Sequence, residues 1–218
     1  MGCASARWLQ LPDSQTEKVC TTMPTKTLRD VNGLDQKPAS LADATLILVD
    51  YQNTYTRGVM ELSGWQAALD NAAALLARAR TAGAKVVHVM HDGGAGSPYD
   101  IRDDIGRIHP LVAPVEGEPV VVKTAPNAFV GTDLGDRVDA AGNKDVIVIG
   151  FMTHMCVTFT AEGAFLRGNR PTVVADACAT RPLATAVAEV SAEQLQHSAL
   201  ATIGDLYGVV VPSGSSLS

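Results

Sequence analysis

Six short apolar runs constrain the fold of this chain more than any other feature of its sequence. They are rich in valine, isoleucine and leucine, and they occupy residues 44–49, 85–89, 119–122, 145–149, 171–175 and 208–211. The runs are mostly continuous rather than alternating, which is the pattern of strands buried on both faces of a parallel sheet. The sequence therefore predicts a central sheet with helices on both sides.

Helical segments separate these runs. The segment 65–82 is rich in alanine and leucine, and Gly83 follows it as a suitable C-cap. Further helices are predicted at 133–141, 155–166 and 184–203. Strands that alternate with helices imply right-handed crossovers. We predict an α/β fold with a doubly wound, mostly parallel six-stranded sheet.

Length and composition indicate one globular domain. The chain has 218 residues, of which 46% are hydrophobic and 18% charged. Residues 1–40 are polar and aperiodic, which predicts an N-terminal extension, and residues 41–218 form the predicted domain. A net charge of -6 argues against nucleic-acid binding, and no apolar run reaches the roughly 20 residues of a membrane span. Four cysteines without CxxC spacing suit reduced thiols, so we expect a cytoplasmic protein.

Reactive side chains follow several of the predicted strands, at the sheet edge where open α/β folds bind ligands. Asp50 follows the first strand, Lys123 the third, and Cys156 lies after the fourth at the start of a predicted helix. A helix N-terminus favours the thiolate, so we expect a lowered thiol pKa and a nucleophile at Cys156. The alternatives are a buried structural cysteine, a turn-capping aspartate and a lysine that extends to solvent.

Four segments taken together resemble the isochorismatase-like cysteine hydrolases. They are LILVDYQN at 46–53, VKTAPNAFVGTDL at 122–134, VIGFMTHMCV at 148–157 and VVADA at 173–177. The resemblance covers roughly residues 40 to 212 and implies the fold predicted above. It also implies a catalytic triad of Asp50, Lys123 and Cys156.

The resemblance further implies a cis peptide between Phe151 and Met152, with an oxyanion hole formed by the N–H groups of Met152 and Cys156. Nicotinamidases of this family carry an Asp-x-His metal cluster after the second strand. The corresponding segment here has only His91 and Asp92, side by side. We therefore expect neither a metal nor another cofactor.

The choice of substrate stays open between branches of the family. Isochorismatases that cleave a vinyl ether commonly lack the cysteine, so its presence favours hydrolysis of a small linear or cyclic amide, a lactam included, through a thioester. Metal-free relatives with the cysteine include carbamoyl-amide, biuret-type and streptothricin hydrolases. The alternatives are an isochorismatase-type ether hydrolase and a non-catalytic scaffold.

The resemblance implies that the protein forms a homodimer or homotetramer. Several side chains near the predicted strand ends are candidates for contact with the amide substrate. The candidate substrate-binding residues are Gln52, Tyr55, His91, Tyr99, Phe129 and Thr153.

Overall fold

The computed structural model describes residues 25–218. Its helices are α1 (Leu28–Val31), α2 (Trp65–Ala82), α3 (Leu134–Ala141), α4 (Thr158–Leu166) and α5 (Ala192–Thr202). Its strands are β1 (Ala44–Val49), β2 (Lys85–His91), β3 (Val120–Lys123), β4 (Asp145–Phe151), β5 (Arg170–Ala179), β6 (Leu183–Ala184), β7 (Glu189–Val190) and β8 (Val209–Val211). Single π-helical turns occupy Thr153–Val157 and Ile203–Tyr207.

Six of the strands form one parallel sheet in the order β3-β2-β1-β4-β5-β8. The chain order reverses between β1 and β4, so helices cover both faces. This arrangement confirms the predicted doubly wound α/β fold and its six main strands.

Strand β1 shows why a continuous apolar run was needed. All six of its residues are buried. Leu46 and Leu48 pack with α2 on one face, whereas Ile47 and Val49 pack with α3 and α4 on the other. A strand covered on both faces has no side that tolerates polar residues, so its sequence cannot alternate.

The largest error in the predicted elements concerns the helix at 184–203. Strands β6 and β7 form a short antiparallel hairpin within this range, and α5 begins only at Ala192. Thr185 closes the hairpin, because its hydroxyl accepts from the N–H of Val187 at 3.2 Å. Ser191 then starts the helix through a capping box with Gln194.

Residues 25–40, which belong to the predicted N-terminal extension, pack against the C-terminal part of the domain. Helix α1 lies beside the turn Ile203–Tyr207, where the Leu28 N–H donates to Asp205 Oδ1 at 2.9 Å. The Arg29 guanidinium donates to the Leu206 carbonyl at 3.1 Å. Residues 1–24 of the predicted extension lie outside the described residues. Within residues 25–218, no helix is long and apolar enough to cross a membrane.

Candidate active site

Asp50 leaves strand β1 in an unusual backbone conformation. Its φ of 53° lies in the left-handed region, which costs most residues about 1–3 kcal/mol but suits aspartate better than larger side chains. Its N–H still donates to the Val89 carbonyl at 2.9 Å, so the residue continues the ladder with β2. The Asp50 side chain is completely buried.

Lys123 ends the edge strand β3, and its side chain is also fully buried. The segment after it is held against α4, where the Ala128 N–H donates to Thr160 Oγ1 at 3.1 Å. The Asn127 side chain fits against Gly163, where an added Cβ would lie 2.5 Å from Asn127 Oδ1. These contacts fix the strand end that carries the lysine.

Cys156 lies in the π-helical turn after β4 and is 6% exposed. Gly150 lets β4 approach β1 just before this turn. An added Cβ at Gly150, with φ of 147°, would lie 2.0 Å from the Val49 carbonyl oxygen. Only glycine fits this close approach, which brings the cysteine turn beside Asp50. The structure also contains the expected cis peptide between Phe151 and Met152.

Asp50, Lys123 and Cys156 meet in one buried cluster. Lys123 Nζ lies 2.8 Å from Asp50 Oδ2 and 3.2 Å from Cys156 Sγ. Lys123 and the Cys156 thiol both face the Asp50 carboxylate, and both favour its charged form. The Asp50 carboxylate consequently keeps the capacity to accept a proton.

The pKa of Cys156 differs from the one predicted from the sequence. Burial, followed by the nearby Asp50 carboxylate, raises the pKa of Cys156 to about 12. The expectation of a lowered pKa at a helix N-terminus was therefore wrong for the ligand-free protein. Desolvation outweighs the favourable effect of Lys123. A raised pKa favours the neutral thiol of Cys156 in the ligand-free protein.

The pKa values of Asp50 and Lys123 are both raised, which favours a basic carboxylate beside a charged lysine. Burial raises the pKa of Asp50, although Lys123 opposes the shift. Burial alone would lower the pKa of Lys123, but Asp50 and then Cys156 outweigh it and raise that pKa. The lysine is thus a permanent cation, and the carboxylate is a stronger base than an exposed aspartate.

His91 and two tyrosines, all predicted to contact substrate, lie around this cluster. Lys123 Nζ is 3.3 Å from His91 Nδ1. Burial and then Lys123 lower the pKa of His91, so the ring is neutral. Because an ammonium only donates, Nδ1 is the acceptor and Nε2 carries the proton. The Tyr99 ring lies 5.1 Å from the His91 ring and 5.7 Å from the Tyr55 ring.

Three other predicted contact residues have different surroundings. The Gln52 side chain is fully buried, and it donates to the His91 carbonyl at 2.9 Å and accepts from the His91 N–H at 2.8 Å. Gln52 therefore positions His91 and is not free to bind a substrate. Phe129 lies under the guanidinium of Arg167, 5.4 Å from its centre, on the α4 side of the sheet. Thr153 is completely buried, and its hydroxyl oxygen has no hydrogen-bond partner among the described residues.

In the loop after β2, the Asp92 carboxylate binds other residues of the same loop. Its carboxylate accepts two hydrogen bonds from Arg102, at 3.0 and 2.9 Å, and a third from the Gly94 N–H at 2.8 Å. Within residues 25–218, no three His, Cys, Asp or Glu side chains are grouped to hold a metal ion. The His91 Nδ1 atom already faces a lysine ammonium, which would repel a metal cation.

Fold and site together define a doubly wound α/β protein with a buried Asp–Lys–Cys cluster at the carboxyl edge of its sheet. The model of the isochorismatase domain matches residues 44–206. This chain belongs to the isochorismatase family of hydrolases, which confirms the resemblance seen in its sequence.

Individual relatives cover most of the chain. A secreted isochorismatase effector of Verticillium dahliae is 34% identical over 186 residues, which is 85% of this chain and 96% of the relative. A streptothricin hydrolase of Streptomyces noursei is 39% identical over 135 residues, which is 62% of this chain and 49% of that protein. The crystal structure of an isochorismatase from Pseudomonas putida KT2440 superposes with a TM-score of 0.86 at 39% identity, covering 90% of this chain and 100% of its own.

Proposed function

We propose that this hydrolase cleaves the carbon–nitrogen bond of a small amide through a thioester on Cys156. The observation that carries the proposal is the position of Lys123 Nζ, 2.8 Å from a carboxylate and 3.2 Å from a thiol in a buried site. A carboxylate that can accept a proton, a neutral thiol and a fixed cation are the parts that acyl transfer to sulfur requires.

The first half of the reaction transfers the acyl group to sulfur. As Sγ attacks the amide carbonyl carbon, Asp50 takes the thiol proton. The negative charge of the tetrahedral intermediate then resides on the former carbonyl oxygen. Asp50 passes the proton to the amide nitrogen, the carbon–nitrogen bond breaks, and the amine leaves. Lys123 keeps its charge throughout and offsets the negative charge of the cluster.

The second half hydrolyses the thioester. A water molecule loses a proton to Asp50 and attacks the acyl carbon. The carbon–sulfur bond breaks, the thiolate recovers the proton from Asp50, and the carboxylic acid leaves. The high pKa of Cys156, about 12, favours its return to the neutral thiol at the end of the cycle.

The oxyanion is assigned to the N–H groups of Met152 and Cys156 as part of the same proposal. In support, the Met152 carbonyl accepts from the N–H groups of Met155 at 3.0 Å and Val157 at 3.2 Å. These bonds hold the turn that contains both amides. Two preorganised donors at the developing charge typically supply a large share of the rate enhancement.

A second candidate function is cleavage of the vinyl ether of isochorismate. The observation that favours it is the relative from Verticillium dahliae, which bears the isochorismatase name and covers 85% of this chain. In that reaction Asp50 would act as an acid, and Cys156 would have no covalent role.

Mass spectrometry of peptides from the protein distinguishes the two functions. The protein is mixed with a panel of amides and lactams, quenched in acid within the first turnover, and digested. We expect the mass of an acyl group on the peptide that contains Cys156, and none on the peptide that contains Cys178. Turnover of isochorismate that Cys156→Gly leaves intact, together with no amide turnover by the wild type, would transfer the assignment to the ether hydrolase.

Chelation tests the expectation that the reaction needs no metal. Activity on the amide found in the panel should be unchanged after exhaustive dialysis against EDTA, because the proposed reaction uses Asp50 as base, Lys123 as cation and Cys156 as nucleophile. Protein dialysed against buffer alone is the control. An activity that EDTA removes and that zinc or iron restores would mean that His91 and Asp92 had been misinterpreted.

A further inference from the structure

Residues 92–102, called the Tyr99 loop below, form a closed loop between β2 and the rest of the connection to β3. The ends of the loop meet, because the Arg102 guanidinium donates twice to the Asp92 carboxylate, at 3.0 and 2.9 Å. Asp92 is in turn anchored to the sheet, where its N–H donates to the Lys123 carbonyl at 2.9 Å. Arg102 therefore ties the far end of the loop to the strand end that carries Lys123.

Arg102 also holds a second carboxylate, which lies inside the Tyr99 loop. Asp100 is 5% exposed, and its Oδ1 atom lies 2.5 Å from Arg102 Nε. The same carboxylate accepts from the Gly96 N–H at 2.7 Å and from the Arg102 N–H at 3.1 Å. The planar guanidinium of arginine presents several donors in a fixed geometry, whereas lysine presents a single point charge. One arginine side chain thus closes the loop and fixes its interior.

The backbone of Tyr99 is bound within this loop. Tyr99 directly precedes Asp100, so the hydrogen bonds of that carboxylate restrain it from one side. The Gly93 N–H donates to the Tyr99 carbonyl at 3.2 Å, and the Tyr99 N–H donates to Ser97 Oγ at 3.2 Å. Both polar groups of the Tyr99 main chain therefore have partners inside the loop, and closure of the loop decides where the ring points.

The half-buried Tyr99 ring lies beside the reacting groups. Its centre is 5.1 Å from the His91 ring and 5.7 Å from the Tyr55 ring. Burial raises the pKa of its phenol, and Cys156 and Asp50 are among the groups that add to the rise. The phenol is thus near the sulfur and the carboxylate, and a substrate bound at Cys156 lies against this ring.

We propose that Arg102 is a positioning residue, which keeps the Tyr99 loop closed and so holds Tyr99 as one wall of the substrate site. If the loop opens, only the closed fraction of the protein binds substrate well, and the apparent affinity falls with that fraction. Turnover of bound substrate depends instead on the strand ends, which the loop does not form. The identity of the substrate rests on the proposed amide hydrolysis, whereas closure of the loop does not.

Arg170 provides a matched control, because it forms the same kind of pair at the opposite end of the sheet. It donates to the Asp145 carboxylate at 2.7 and 2.8 Å. The side chains of this pair are 59% and 21% exposed, against 52% and 19% for Arg102 and Asp92. Arg102→Gln and Arg170→Gln should therefore lower the thermal midpoint of unfolding by similar amounts.

The kinetics of the two variants should differ. On the amide identified by mass spectrometry, we expect Arg102→Gln to raise KM about 3- to 10-fold with kcat unchanged, the effect of one partly exposed ion-pair network on the closed fraction. Arg102→Lys should recover part of the loss, and Arg170→Gln should leave both constants unchanged. An unchanged KM in Arg102→Gln, or the same rise in Arg170→Gln, refutes the role of Arg102.

A double-mutant cycle tests whether Arg102 acts through Tyr99. Tyr99→Ala should itself raise KM, and Arg102→Gln should add nothing further in that background, because the wall that it positions is already gone. A rise of the same size in both backgrounds would show that Arg102 acts independently of Tyr99 and would overturn the proposal.

Hydrogen exchange separates this inference from the proposed reaction, because it needs no substrate. Protection of the amides of residues 93–102 should fall in Arg102→Gln and stay the same in Arg170→Gln. Unchanged protection in Arg102→Gln refutes the role of Arg102 whatever the substrate is. If protection falls but the wild type cleaves no amide, the proposed reaction fails and closure by Arg102 stands, and the KM for isochorismate then replaces that for the amide in the same comparison.

Discussion

Under the proposed mechanism, replacing Cys156 with alanine abolishes amide hydrolysis and leaves the fold intact. Loss of a catalytic nucleophile typically lowers kcat by about 10⁴- to 10⁶-fold, and the ion pair between Asp50 and Lys123 does not need the sulfur. The kcat of the purified variant is measured on the amide identified by mass spectrometry. Circular dichroism and the thermal midpoint of unfolding report on the fold.

The second described thiol provides a matched control for this change. Cys178 is also 6% exposed, and burial likewise raises its pKa to about 12. Its sulfur, however, donates to the Val174 carbonyl at 3.3 Å, and no lysine is among the groups that shift its pKa. Cys178→Ala should therefore keep its activity at some cost in stability. Wild-type turnover in Cys156→Ala, or an equal loss in Cys178→Ala, would contradict the covalent mechanism.

Replacing Lys123 with methionine should remove activity and also destabilise the fold by about 3–5 kcal/mol at neutral pH, because it leaves the Asp50 carboxylate buried without its counter-ion. The loss depends on pH. Without Lys123, burial raises the pKa of Asp50 further, so the folded state binds a proton more tightly than the unfolded state. The destabilisation is complete above that raised pKa and shrinks as pH falls toward the unfolded value.

Urea unfolding at pH 7 and pH 5 measures this effect. The double variant Asp50→Asn with Lys123→Met should recover much of the stability at pH 7, because no charge remains buried, and it should stay inactive. Recovery of the fold without activity would separate the structural role of the pair from its chemical role. A Lys123→Met variant as stable as the wild type at pH 7 would show that Asp50 is not ionised in the native protein.

The sequence predicted the sheet well because its strands are buried on both faces and could not be confused with surface elements. The segment 184–203 was mistaken for one helix, since its alanines favour helix throughout. The hairpin depends on side-chain bonds of Thr185, and the helix starts at the capping box of Ser191, which the hydrophobic pattern does not reveal.

The sequence predicted which residues meet at the site but not how deeply they are buried. The position of Asp50, Lys123 and Cys156 at strand ends was enough to bring them together. Burial of Cys156 was not visible in the sequence, and burial decides its pKa. The strand that forms β5 was predicted to end at residue 175, whereas it continues to Ala179 and pairs there with Phe151, just before the cysteine turn.

The components of this site differ in how freely they can evolve. Asp50, Lys123 and Cys156 lie at or just after the ends of strands joined by the hydrogen bonds of one sheet, so a shift of any one of them disturbs the others. Tyr99 lies on a loop outside the sheet, where an exchange leaves the strand ladder intact. Selection on this fold can therefore change substrate specificity while the reaction stays the same. Mutant libraries aimed at new substrates should vary the loops and keep the strand ends constant.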